Sequence, residues 1–299
     1  MTVIEILVVI GIIAMLVGLL MPAVHTVQKM AKETKQRAQF TAIELGLAAF
    51  KNDYGDYPPS SWFDPSISGT APGPYCGAQK LAEAMLGWDL LGFHPDSAWR
   101  ADGLDRDAGP TTYDPLKVNL PEVSLQKRRG RYLELETANA FVLGGGVDAL
   151  FPGGVTPLAP RTYVLCDVFA RSERKVRLSD GKMAAVGAPI LYYKANPASL
   201  THDPINWQRT SACLYDARDN APIVNLGWLG DATKAPNLRR PHPLAPDAVL
   251  PNFEYFYKYI RDPRVQARPW PVRPDSYLLI SAGMDGLYGT EDDICNFGR

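Results

Sequence analysis

The chain has 299 residues, 46% of them hydrophobic, with 31 Lys and Arg against 32 Asp and Glu. That is ample for a buried core in one large or two small domains, and it excludes a disordered chain. A formal net charge of −1 leaves no basic footprint, so nucleic acid is not expected as a partner.

Met1–Pro22 is apolar at nearly every position and carries one charge, Glu5. A run of this length can span a bilayer as a helix. A carboxylate inside it is costly in hydrocarbon and calls for a partner. The nearest chemical answer is the terminal amine of a neighbouring copy of the chain. Beyond Pro22, Val24, Val27, Ala31, Thr34, Ala38, Ala42, Leu45 and Ala49 recur at three- and four-residue steps. Lys29, Lys32, Glu33, Lys35, Arg37 and Gln39 take other positions. The pattern predicts one helix over 1–52, roughly 75 Å long at about 1.5 Å per residue. Residues 1–24 form its membrane or filament-core half and 25–52 its amphipathic half. Gly11, Gly18 and Pro22 are its weak points, and Asn52–Pro59 (NDYGDYPP) ends it.

Met1-Thr2-Val3-Ile4-Glu5, the apolar run after it and Pro22 resemble the mature N-terminus of type IV pilins and type II secretion major pseudopilins. The Tyr57-Pro58 helix exit is similar to that of the pseudopilins. A signal anchor is the plain alternative. A cleaved signal peptide fits poorly, because no basic segment or small-x-small site accompanies the run. The resemblance implies leader removal by a prepilin peptidase and N-methylation of Met1. It also implies helical polymerisation through Met1, Glu5 and Pro22, with local melting of about Ala14–Pro22 on assembly.

Residues 53–299 form the expected head. The block at about 60–160, rich in Pro, Gly, Asp and Trp, is expected as an insertion on the outside, with a short helix at Gln79–Leu86. Its basic run Lys127–Arg131 is expected to be a solvated face. Thr162–Ala170, Pro189–Ala195 and Ser276–Ser281 are β-rich, and Asn252–Tyr259 reads as a helix with core-packing aromatics. The fold class is therefore α+β, and the resemblance makes it pilin-like: a long N-terminal helix on a small antiparallel sheet, with loop-rich insertions.

Ser281–Ile294 (SAGMDGLYGTEDDI) holds four carboxylates and three glycines, a composition suited to a hard cation. Its spacing is not that of an EF-hand. It resembles the calcium loop of the major pseudopilins. Carried over, the calcium ligands are Asp285, Asp292 and Asp293, with carbonyls near Ala282 and Thr290. Paired Asp-Gly turns are the simpler reading. Cys76, Cys166, Cys213 and Cys295 have no CxxC spacing. In an exported chain they allow one or two disulfides, with three full pairings open, or remain buried thiols.

The histidines are isolated, and no GxSxG or phosphate-loop motif occurs. No nucleophile with an orienting base is legible, so no enzyme is expected. The expectation is a structural subunit in the bacterial inner membrane that assembles, through inner-membrane machinery, into an extracellular or periplasm-spanning filament. A minor pilin or tip adhesin, and a monomeric membrane-anchored binding protein, are the alternatives.

Overall fold

The computed structural model describes residues 2–62, 75–103, 112–113, 121–146, 148–151, 161–202, 212–228, 240–246 and 253–298. Met1, Asn252 and much of the 60–160 block lie outside them, as do the side chains of Leu19, His25 and residues 121–123. One helix, α1, runs unbroken over Val3–Tyr54, through Pro22. Gly55 ends it in the left-handed region at φ 85°, its N–H donating to the Lys51 carbonyl, a conformation that costs glycine no steric strain. The N-terminal part is long and apolar enough to cross a membrane, with a mean hydropathy of 3.0 over its best window and none of that window buried.

The head grips only the C-terminal third of α1. Phe40, Ile43, Leu47 and Phe50 are buried there, at the spacing of one helix face. They pack in one core cluster with Leu81 and Met85 of α2 (Gly77–Leu86), Leu165 of β2 (Tyr163–Leu165), Tyr192 of β5 (Leu191–Lys194) and Leu279 of β6 (Tyr277–Ser281). Glu44 pins the same face polarly, through Arg273 at 3.2 Å and Asn296 at 3.1 Å. This corrects the expected stripe. Leu45 is 68% exposed, and Ala38 and Ala49 also face out. The head half of α1 carries two apolar faces, and the head covers the one containing Gln36 and Gln39.

The 60–160 block is not merely an outer decoration. All ten residues of α2 are buried, because the helix is wedged between α1, β2 and β5. Its two ionisable side chains are hydrogen-bonded in place: Lys80 Nζ donates to the Ser61 carbonyl at 2.7 Å, and Glu83 accepts from Tyr75 Oη at 2.6 Å. A side chain at Gly77 would run into the Tyr192 carbonyl. The basic run is mostly solvated, as expected: Lys127, Arg129 and Arg131 are exposed. It begins at the last residue of α3 (Pro121–Lys127), and the Arg128 side chain alone is drawn in, bound to Asp89 at 2.6 Å. Lys127 and Arg129 meet Asp96 and Asp53.

The sheets are small and antiparallel. β5, β6 and β7 (Ile294–Cys295) form a three-stranded sheet, with Leu191 opposite Ile280 and Ile280 opposite Cys295. β2 pairs with β1 (Ala140–Val142) instead of joining that sheet, and touches it through one bridge, Cys166 to Pro189. β3 (Arg171–Arg177) and β4 (Met183–Val186) make a hairpin with a bulge between Arg171 and Lys175. α6 (Glu254–Tyr259) buries Phe256, Tyr257 and Tyr259 in the second core cluster, as expected of its aromatics.

Of the two readings left open for the cysteines, the structure has the thiols: none of Cys76, Cys166, Cys213 and Cys295 is in a disulfide. They sit at separate structural points, the start of α2, the end of β2, the Thr201 bridge and β7. Burial pushes the Cys76 thiol up to about 12, which keeps it protonated and unreactive at neutral pH.

Candidate functional site

Two regions bear on function, one at the bare end of α1 and one in the head. The first is the N-terminus of α1. Glu5 Oε2 accepts from the backbone N–H of Thr2 at 2.8 Å. A Thr-x-x-Glu spacing can satisfy an orphan amide of the first turn in this way, so in the single chain Glu5 is engaged by its own helix start. Pro22 stays helical. Its carbonyl accepts from Thr26 Oγ1 at 3.0 Å, although proline removes one backbone donor there. Around both residues the apolar side chains are bare, from Val3 at 77% exposure to Met30 at 62%.

The second region is the loop after β6. Ser281 and Ala282 are buried at the strand end, and the Ala282 carbonyl accepts from Gly286 N at 3.1 Å. Gly283, at φ 57°, lies against the Asp292 backbone, so the loop's two ends touch. Asp292 joins them further: its Oδ2 accepts from Asp285 N at 2.9 Å and its Oδ1 from Thr290 Oγ1 at 2.6 Å. Asp285 Oδ1 accepts from Leu287 N at 2.7 Å. Asp293 Oδ2 accepts from Gly289 N at 2.6 Å and from Tyr259 Oη at 2.5 Å. Glu291 is exposed and flanks the group.

The loop's electrostatics are those of crowded like charge. Burial raises Asp285, and the Asp292 charge adds to the shift. Burial pushes Asp293 up to about 7, opposed by its Tyr259 and Gly289 hydrogen bonds and reinforced by Asp292 and Asp285. A cation would relieve that repulsion. The donor chemistry therefore suits a hard cation. The geometry is less complete: among the described residues no three His, Cys, Asp or Glu side chains converge as a ready cage.

Sequence reasoning missed Arg171. Its Nη2 donates to the Gly283 carbonyl, and its guanidinium fills the space a side chain at Gly286 would take. Tyr259 was read only as a packing aromatic. Both approach the loop from distant elements, so no local spacing announces them. The loop tip, Met284, stands beside Thr26, Gln28, Lys29 and Lys32 of α1 across a groove of about 290 Å³. The loop thus faces the point where α1 leaves the head. No family model, curated protein or solved structure matches this chain.

Proposed function

We propose that this chain is a filament subunit of the type IV pilin and pseudopilin kind, with a pilin-like fold, which polymerises through α1. The observation that carries the reading is the length of bare apolar surface on one helix. From Val3, 77% exposed, to Met30, 62% exposed, every turn carries a bare large apolar side chain. That stretch rises about 40 Å, whereas a hydrocarbon core is about 30 Å thick. A bilayer cannot cover all of that stretch together with Leu45, 68% exposed about 22 Å further on. Parallel, staggered copies of the same helix can, and a heterologous contact of this kind propagates as a fibre.

In this reading Glu5 exchanges its own Thr2 amide for the Met1 amine of the adjacent subunit. A buried charge pair sets register more than it adds net stability. The Ala14–Pro22 segment loosens on assembly, because Pro22 already lacks one helical bond. The subunit waits in the bacterial inner membrane. A prepilin peptidase exposes and methylates Met1, and inner-membrane machinery draws the chain into a filament outside that membrane. The chain's role is structural and not enzymatic. Calcium at Asp285, Asp292 and Asp293 would stiffen the loop beside α1, with Thr290 and the Ala282 carbonyl nearby. Ion entry then requires Asp293 to share or leave Tyr259.

The test replaces Glu5 with Ala and with Lys in cells that assemble the wild-type chain. Both variants remain folded and membrane-held, and few fibres are sheared from the cells. Fibre yields equal to wild type would reject the pairing.

A further inference from the structure

The groove of about 290 Å³ at the loop tip is lined by Thr26, Gln28, Lys29, Lys32 and Met284. Thr26 is committed to the Pro22 carbonyl, which leaves the Gln28 amide and two ammonium groups as the groove's donors. Lys29 faces Glu33 at 3.9 Å in an exposed pair, an arrangement worth little in water. Lys32 has no ion-pair partner among the described residues. On the opposite wall Met284 is 45% exposed. The neighbouring Asp285 carboxylate accepts from the Leu287 amide at 2.7 Å and has the Arg171 charge beside it. One wall of the groove is therefore cationic and the other apolar. Gln28, Lys32, Lys35 and Gln39 follow at four- and three-residue steps, on one face of α1. Further along that face, Lys35 and Ala38 line a second groove with Ala185 of β4. The β3–β4 hairpin carries exposed Lys175, Arg177, Lys182 and Met183. Basic and apolar side chains thus stand together on both elements that flank α1 where it leaves the head.

About 20 helical residues cross a hydrocarbon core, so a span that begins at Val3 leaves it near Pro22. Thr26 then stands about 6 Å beyond the core and Lys32 about 15 Å, where the polar layer is about 5–7 Å deep. Lysine stems lie along apolar surface and reach such a layer while their ammonium groups stay in water. We infer that this groove holds the phosphate of an anionic phospholipid headgroup, clasped by Lys29 and Lys32, with Met284 lying in the polar layer beside it. The inference rests on the filament reading above only in that α1 spans the membrane before assembly; it needs neither the Glu5 pairing nor a second copy. An anionic lipid is favoured over a zwitterionic one, because two ammonium groups then meet the phosphate without a competing choline cation. The contact would fix the depth of α1 and hold the loop at the membrane until the subunit is drawn out.

The experiment places the full chain in phosphatidylcholine vesicles with a trace of nitroxide-labelled phosphatidylcholine or phosphatidylglycerol. Electron paramagnetic resonance reads how much of each label is held at the protein. The wild-type chain holds the phosphatidylglycerol label about fivefold more strongly or better, the worth of one lysine at an anionic surface. Lys29→Gln together with Lys32→Gln brings the two labels to within about twofold of each other. Met284→Glu, which puts a carboxylate on the opposite wall, lowers the preference about fivefold. Lys51→Gln makes the same kind of charge change about 28 Å further along α1 and leaves the preference at the wild-type value. All four side chains are exposed, so the substitutions leave the head folded. Three results would each overturn the inference while the filament reading stands: no wild-type preference, a preference unmoved by the lysine pair or by Met284→Glu, or one lowered as much by Lys51→Gln. A wild-type chain washed from the vesicles at alkaline pH would overturn the anchor beneath both.

Discussion

At the scale of single residues, buried carboxylates set the expected pH response of the head. Asp293 and Asp219 hold their protons up to about pH 7, chiefly through burial, whereas an unfolded Asp releases its proton near 3.9. The folded chain binds more protons across that interval, so stability falls as pH rises through it. His242 acts in the opposite direction. Burial and the neighbouring Arg174 and Arg171 charges lower it to about 3, so its effect is complete once pH passes about 6.5. Thermal melting of the detergent-solubilised chain should therefore drop most steeply between about pH 6.5 and 7 and level off above it. Asp293→Asn should flatten that slope, and a slope equal to wild type would remove Asp293 from the account. If calcium enters the loop, its addition at pH 8 raises the melting temperature of the wild-type chain and not that of Asp293→Asn. Melting unchanged by either calcium or chelator would exclude the ion.

At the scale of elements, the two faces of α1 separate folding from assembly. Leu47 is fully buried under the head, and Leu47→Ala should cost the subunit about 2–5 kcal/mol. Leu45 lies two residues away on the bare face. Leu45→Ala should shift subunit stability by no more than about 0.5 kcal/mol, yet reduce fibre yield. Equal melting losses for the two substitutions would mean that the faces have been misassigned. These faces also mark how far the sequence could be read. The existence and ends of α1, the position of α2 and the stretches that become β5 and β6 follow from apolar runs and breakers. Which apolar stripe faces the head does not, because the buried face carries Gln36 and Gln39, whose partners are carbonyl and amide groups more than ninety residues away. β3 was hidden for the same reason. Its Arg171 and Arg174 are buried, but a run of arginine and lysine reads as surface. The Asp180-Gly181 turn, with Gly181 at φ 82°, was the available hairpin signal. At the loop, the spacing of Asp285, Asp292 and Asp293 was legible. Arg171 was not, since it reaches Gly283 from 112 positions upstream.

At the scale of the whole molecule, the head ties down about one third of α1 and leaves the rest bare. The tie is strong where it exists: aromatic packing around Phe50, with Phe93 at 5.0 Å and Tyr132 at 5.7 Å, a wholly buried α2, and Glu44 held by Arg273 and Asn296. The bare remainder is longer than a hydrocarbon core is thick. A subunit that finishes its packing only against copies of itself accounts for that feature. The most direct test is cryo-electron microscopy of fibres sheared from cells producing the full chain. The account predicts a helical fibre with α1 in its core, neighbouring copies staggered by about four residues or about 6 Å, and the heads on the outside. A chain found in no fibre, remaining singly in the membrane, would contradict it and leave a membrane-anchored binding protein in its place.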